Sequence, residues 1–197
     1  MKRKNIVLII VYFILTILFV AIPFPTADLI IRINFKNITS DSCSLYYSID
    51  APFSYSEEQC INSSIDPNLN QVTFRLDSSL ANQITDIRLD FANQEDLICI
   101  KDISISSAGV IKEAYRPYEF FSSDNIAMTN QVTVSATDVM NDAYISTTGN
   151  DPYIIFTYEL TRDIMSHVSS YRLTRALICV FIGVAIILMK KKVFTEH

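Results

Sequence analysis

Arg88 and Asp90 are the first candidates for ligand binding in this sequence. They alternate with Ile87, Leu89 and Phe91, so a β-strand through these residues would carry both charged side chains on its polar face. A guanidinium and a carboxylate offer fixed hydrogen-bond donors and acceptors, which suit the hydroxyl groups of a sugar. The alternative is an ion pair between neighbouring strands on a sheet surface.

A second candidate group lies where a polar loop meets an apolar segment. Asn150, Asp151 and Tyr153 flank Pro152 at this junction. These three residues are candidates for ligand binding. The alternative is ordinary turn chemistry, because Asn and Asp tolerate turn conformations and proline fixes φ.

The third candidate is an aromatic patch at Tyr115, Tyr118, Phe120 and Phe121. It could form a stacking platform for sugar rings, with Tyr115 and Tyr118 contacting the ligand. The alternative is that the patch belongs to the hydrophobic core or forms a lid over it.

Catalysis is not predicted. The acidic pairs Glu57–Glu58 and Glu95–Asp96 each consist of adjacent residues, and such pairs usually face solvent without a catalytic role. The sequence also associates no nucleophile with His167. Only three glycines are present, which argues against a glycine-rich phosphate loop, and no Cys/His spacing suits zinc. We therefore expect a protein that is not an enzyme and that holds neither a metal nor a cofactor.

An apolar segment lies near each end of the chain. Residues 6–24 carry no charge and would rise roughly 28 Å as a helix, enough to cross a hydrocarbon core. Residues 173–189 are shorter and include Arg175 near one edge. Basic clusters at residues 2–4 and 190–192 predict two membrane spans with both termini in the cytoplasm and residues 26–172 outside the cell membrane. A cleaved signal peptide is the alternative for the first segment.

Three residues of the second apolar segment share one helical stripe, namely Ala176, Cys179 and Gly183. Small residues let another helix approach closely. We expect this stripe to pack on the first span of the same chain or on a polytopic membrane protein partner.

The charge between the two ends is strongly negative. The whole chain has a net charge of −5, but residues 28–175 hold 10 basic and 20 acidic side chains. Such a segment repels phosphate backbones, so nucleic acid is excluded as an expected partner.

Two of the four cysteines could form a disulfide bond. Cys43 and Cys60 lie in or beside a predicted loop on the oxidising side of the membrane. A bond between them would close a loop of about 17 residues and stabilise the fold by roughly 3 kcal/mol. The alternative is two free thiols.

About eight short strands without intervening helices are predicted between the apolar ends. This pattern favours an all-β domain, an antiparallel β-sandwich of jelly-roll type. Ile98 and Ile100 differ in phase from Ile103 and Ile105, so we expect a bulge near residues 101–102. The expected strands cover residues 28–35, 44–49, 71–76, 84–91, 97–105, 110–115, 131–139 and 153–160.

The segments 74–76, 84–91 and 98–103, together with the later Thr-Gly-Asn-Asp-Pro-Tyr run at 148–153, resemble a family. They are similar to extracytoplasmic jelly-roll domains, like carbohydrate-binding modules, in bacterial membrane proteins of surface-polysaccharide assembly. The chain has Phe91 where proline is commoner in that pattern, and it lacks the glycosyltransferase part to which such domains are often fused. The resemblance implies an accessory subunit that binds a glycan.

Together these observations predict four regions. They are a first span within residues 1–25, a β-sandwich over 26–160, a helical stalk over 161–172 and a second span with a basic tail over 173–197. The expected function is binding of a glycan or lipid-linked saccharide, docking on a polysaccharide-synthesis enzyme of the membrane, or both. The alternative is a structural subunit that binds only protein.

Overall fold

The computed structural model describes residues 12–14, 16–17, 28–49, 51–91, 95–107, 111–139 and 141–195. The chain divides into one unit over Thr26–Val168 and another made of Met1–Pro25 and Ser169–His197. The first unit contains all of the β-structure in these residues.

Eleven strands and two helices have defined bounds in these ranges, together with a 3₁₀ turn at Glu57–Gln59, and residues 12–14 and 16–17 are also helical. The strands are β1 (Leu29–Asn37), β2 (Ser42–Ser48), β3 (Cys60–Ser64), β4 (Gln71–Leu76), β5 (Asp86–Phe91), β6 (Asp96–Ser107), β7 (Ile111–Tyr115), β8 (Ile126–Asn130), β9 (Val132–Thr137), β10 (Asp142–Thr147) and β11 (Tyr153–Phe156). The helices are α1 (Pro117–Phe120) and α2 (Tyr158–Thr195).

Two antiparallel sheets form a sandwich. One sheet has the order β4-β1-β6-β10-β9, with β7 also paired to β6, and the other has the order β3-β2-β5-β11-β8. The predicted β-sandwich is therefore correct. Alternating residues from both sheets fill one hydrophobic core, because successive side chains of a strand point to opposite faces.

The long strand β6 contains the predicted bulge. Its register against β1 jumps from Asp102 to Ile100, which leaves Lys101 without a residue opposite it. This extra residue reverses the phase of the strand, so that Ile98 and Ile103 are both fully buried.

Helix α2 begins as part of the sandwich. Leu160, Ile164 and Val168 are buried in the same core as the strands. The segment predicted to continue a strand to residue 160 leaves the sheet at Phe156. The segment predicted to be a helical stalk is helical, and its residues Ile164, Met165 and Val168 pack in the core of the sandwich.

The prediction of two flanking transmembrane helices is wrong. The described part of the chain contains no helix that is both long and apolar enough to cross a bilayer. Most of the first predicted span, residues 6–24, lies outside the described residues. In α2, charged residues recur from Glu159 to Arg175, which shortens its uncharged run. The predicted placement of both termini in the cytoplasm depended on the two spans and is withdrawn with them.

Candidate ligand-binding site

Arg88 and Asp90 lie on the outer face of the five-stranded sheet. Their strand, β5, is the central strand, with β2 on one side and β11 on the other. Ile87, Leu89 and Phe91 are buried in the core, which turns the two charged residues outward. The alternation read from the sequence therefore positions both side chains as expected.

The two side chains form a forked ion pair along one strand. Arg88 Nε donates to Asp90 Oδ1 at 2.7 Å, and Arg88 Nη2 donates to Asp90 Oδ2. The side chains are only 19% and 14% exposed. A bidentate, partly buried pair of this kind is stronger and more rigid than an exposed one. The alternative considered from sequence was a pair between strands, whereas this pair joins residues of the same strand.

Three tyrosine rings surround the guanidinium of Arg88. Its Cζ lies 3.9 Å from the ring centroid of Tyr153, 5.1 Å from that of Tyr46 and 5.6 Å from that of Tyr55. Tyr46 lies opposite Arg88 on β2, and Tyr153 lies opposite Asp90 on β11. Each ring face attracts the cation. The tyrosines therefore fix the position of Arg88 from several sides.

A short loop before β11 brings a second carboxylate to Arg88. Asp151 Oδ1 lies 3.4 Å from Arg88 Nη2, and the Asp151 side chain is 61% exposed. Gln131 holds the loop, because its Oε1 accepts a hydrogen bond from the Asp151 backbone N–H at 2.9 Å. Asn130 Nδ2 donates to the Asp151 carbonyl oxygen at 2.7 Å. The loop is thus anchored to the segment between β8 and β9.

Gly149 makes this anchor possible. Its φ is +107°, in a region that favours glycine. A Cβ at this position would lie 2.5 Å from Gln131 Oε1, the same atom that binds Asp151. The positive φ and the close Gln131 side chain therefore explain why a glycine occupies this position of the Thr-Gly-x-Asp-Pro run.

An open cavity of about 550 Å³ lies over these groups. We call it the Arg88 pocket. Its polar lining consists of Ser42, Ser44, Tyr46, Glu57, Arg88, Asp90, Asn150 and Asp151. Hydroxyl, amide, carboxylate and guanidinium groups thus converge on one space, which is the arrangement that orients a polar ligand.

Burial adjusts the ionisation of the groups in this pocket. Desolvation raises the pKa of Asp90, and the hydrogen bonds and charge of Arg88 oppose that rise. Burial acts to lower the pKa of Arg88, but the hydrogen bond to Asp90 and the charges of Asp90 and Asp151 together raise it. Burial also raises the pKa of Tyr46 and of Tyr55, which keeps both hydroxyls protonated at neutral pH.

Five of the predicted ligand residues come together at this pocket, namely Arg88, Asp90, Asn150, Asp151 and Tyr153. Tyr115 lies elsewhere, on β7 of the other sheet, where its hydroxyl donates to Asp163 Oδ2 at 2.6 Å. Tyr118 is in α1. Their neighbours Phe120 and Phe121 are in the core, so the aromatic patch does not form an exposed platform.

The predicted disulfide bond between Cys43 and Cys60 is not formed. Both are free thiols, and in the β2–β3 register Cys43 lies opposite Ser63 while Cys60 lies opposite Tyr46. Cys43 is buried in the core, whereas Cys60 belongs to the outer face with Tyr46. The two sulfurs therefore point to opposite sides of the sheet.

The small-residue stripe lies in the other unit of the chain. Gly183 is buried, and a Cβ there would lie 2.5 Å from Tyr12 Oη. The Tyr12 hydroxyl also donates to the carbonyl oxygen of Cys179. Ala176, on the same helix, is half-buried.

Sequence reasoning missed several residues that line the pocket or hold its lining residues in place. Tyr46 could have been found, because it shares the outward phase of β2 with Ser44. Tyr55, Glu57 and Gln131 lie in turns or loops, where no periodicity indicates direction. No group of His, Cys, Asp and Glu suited to a metal ion occurs among the described residues.

Comparison with known proteins gives no relative for this arrangement. No family model, no curated protein and no solved structure matches the chain. The function must therefore be argued from the pocket itself.

Proposed function

We propose that this protein is a non-catalytic binding protein that holds a saccharide in the Arg88 pocket. The observation that carries the proposal is the forked Arg88–Asp90 pair, fixed by three tyrosines under an open polar cavity. A sugar presents many hydroxyl groups, each of which both donates and accepts a hydrogen bond. A rigid set of planar polar groups binds such a ligand with little loss of side-chain entropy.

The roles differ among the pocket residues. Arg88 and Asp90 already satisfy each other, so they form the rigid floor of the pocket. Asp151 is more exposed, and its carboxylate makes only two long contacts, with Arg88 Nη2 at 3.4 Å and with Asn130 Nδ2 at 3.5 Å, so it keeps acceptor capacity for a ligand. Asn150 and Glu57 add an amide and a carboxylate at the rim. The rim therefore contacts the ligand directly, and the floor positions the rim.

The polarity of the pocket also supports this ligand class. Sites for drug-like apolar ligands are lined mainly by hydrophobic side chains. Hydroxyl, carboxylate and amide side chains line this cavity instead. The glycan-binding role implied by the sequence resemblance agrees with this lining, and the expected membrane-enzyme partner stays a prediction.

The test is a glycan array probed with the full-length protein, followed by isothermal titration with the best oligosaccharide. Asp151→Asn removes a rim charge, and Arg88→Lys keeps the floor charge but loses the fork. Arg75→Lys is the matched control, because Arg75 is exposed on β4 of the other sheet. We expect both pocket variants to weaken binding about tenfold, equivalent to roughly 1.4 kcal/mol, and the control to bind normally. Absence of any array signal from the folded wild-type protein would refute the proposal.

A further inference from the structure

The two lateral edges of the sandwich, where the sheets end, are built differently. At one edge, β3 and β4 are joined by a short connection, and Ser63 Oγ donates to the Thr73 carbonyl oxygen at 2.9 Å. At the other edge, β8 and β9 each end a sheet. A groove of about 880 Å³ runs along these two strands. We call it the β8–β9 groove. The sandwich is thus closed along one edge and grooved along the other.

Strand β9 has a regular backbone with one free side. It pairs with β10 through six consecutive residue pairs, from Val132–Thr147 to Thr137–Asp142, without a register shift. In the described part of the chain no strand pairs with its other side. Such an edge offers a row of backbone N–H and C=O groups to an added strand.

The usual protections of an edge strand are missing from β9. Charged residues discourage pairing at an edge, and here β4 carries Arg75 while β7 carries Glu113. The segment 126–137, which includes β8 and β9, contains no charged residue, no proline and no glycine. Its regular pairing with β10 also leaves no bulge to turn the edge away.

The groove supplies apolar contacts beside this free backbone. Val132, Val134 and Ala136 of β9 pack against the core but remain half-exposed. Phe121 and Ile126 line the groove with them. An added strand would therefore gain backbone hydrogen bonds from β9 and bury every second side chain in the groove.

The charge at one end of the groove indicates what that strand carries. Asp138 follows the last residue of β9 and lines the groove, and it is exposed. Among the residues that the structure describes, none that lines the groove is basic. A basic side chain on the incoming strand would complement Asp138 and fix the direction of docking.

We infer that β9 is a docking edge for an extended peptide segment of a partner protein, with alternating apolar residues and a Lys or Arg at the end that meets Asp138. This protein-binding edge lies on different strands from the saccharide pocket. It is a further activity and does not depend on the pocket being occupied.

Fluorescence anisotropy of a labelled probe peptide tests this inference. The probe is acetyl-Lys-Thr-Val-Thr-Val-Thr-Val-amide with a dye on a flexible tail, titrated with the full-length protein. Two matched peptides serve as controls, one with Glu in place of Lys and one with alternate backbone nitrogens methylated. We expect the Lys probe to bind about threefold to fivefold more tightly than the Glu probe, as for one exposed ion pair. The methylated probe should lose binding, because it cannot pair with β9.

Two variants of the protein complete the test. Asp138→Lys should reverse the preference between the Lys and Glu probes without changing the fold, since Asp138 is exposed. Ala136→Lys should abolish binding of both probes, and circular dichroism and the melting temperature establish whether it is folded. Equal binding of the methylated probe, or no binding by the wild-type protein, would overturn the inference. So would a wild-type dimer that Ala136→Lys converts to a monomer in sedimentation, because the edge would then belong to a second copy.

Discussion

Replacing Arg88 with methionine should destabilise the sandwich in a pH-dependent way. Methionine keeps much of the stem but removes the guanidinium that pairs with Asp90. Exposed ion pairs contribute about 0.2–1 kcal/mol, and breaking a fully buried pair costs about 3–5 kcal/mol. The Asp90 side chain is 14% exposed, so an intermediate cost is appropriate. We expect the free energy of unfolding to fall by about 2 kcal/mol because the Asp90 carboxylate loses its partner, and by about 1 kcal/mol more because the cation–π contacts are lost.

The sign of the pH dependence follows from Asp90. Burial already raises its pKa, and Arg88 opposes that rise, so removing Arg88 raises the pKa further. A carboxyl group whose pKa is higher in the folded state favours folding most when it is protonated, below its unfolded pKa of about 3.9. That contribution is lost as the pH rises through the folded pKa. The penalty of Arg88→Met, relative to wild type, should therefore be larger at pH 7 than at pH 4.

Urea unfolding followed by near-ultraviolet circular dichroism measures this effect through the tyrosines around Arg88. The control is Arg75→Met, which should stay within about 0.5 kcal/mol of wild type because Arg75 is exposed. The double variant Arg88→Met with Asp90→Leu should recover part of the loss, since it removes the unpaired charge. A penalty below about 0.5 kcal/mol at pH 7, or an equal penalty at both pH values, would refute this account of the pair.

Three further predictions concern the loop, the cysteines and the start of α2. Gly149→Ala should lower the free energy of unfolding by about 1–3 kcal/mol and weaken saccharide binding, because the positive φ and the Gln131 side chain both oppose a Cβ at this position. Denaturant titration would measure the loss of stability and calorimetry the loss of affinity, and an unchanged affinity would contradict the loop's role in binding. Cys43 is buried and desolvation raises its pKa to about 12, whereas Cys60 is half-exposed, although burial raises its pKa as well. A maleimide should therefore label Cys60 but not Cys43 in the native protein, as peptide mapping can determine, and protection of both thiols that dithiothreitol reverses would instead indicate a disulfide. Tyr115→Phe removes the hydrogen bond to Asp163 and should lower the free energy of unfolding by about 1 kcal/mol. Amide hydrogen exchange in the first turns of α2 should become faster, and unchanged exchange would show that the bond does not stabilise the helix.

The sandwich could be predicted where a strand buries one face only. Leu29, Ile31 and Ile33 alternate with half-exposed residues, and the phase change in β6 predicted the bulge at Lys101. Strands β3, β8 and β10 were missed, the first two for a different reason. β3 and β8 are edge strands with few buried residues, so their sequences lack a clear period. The second apolar segment was wrongly predicted to span a membrane, because charged residues continue along α2 as far as Arg175 and leave a shorter uncharged run.

Only part of the candidate site could be predicted from the sequence. Successive side chains of β5 point to opposite faces of the sheet, so the alternation in the sequence was enough to find Arg88 and Asp90. Their partners depend on which strands flank β5 and on how the loops fold, and these are long-range contacts. Tyr55 and Gln131 could not have been placed by any local rule.

The pocket should prefer a neutral or amine-bearing saccharide to a carboxylated one. Asp90, Asp151 and Glu57 line the cavity with Arg88, and the Arg88 charge is already engaged by Asp90. An incoming carboxylate would meet the exposed Asp151 before it met any free cation. Calorimetry should show glucosamine oligomers binding a few times more tightly than uronic acid oligomers at low salt, with the difference shrinking as salt screens the charges. If the uronic acid oligomers bound more tightly, Arg88 would have to leave Asp90 for the ligand, and its role as a fixed floor would be wrong.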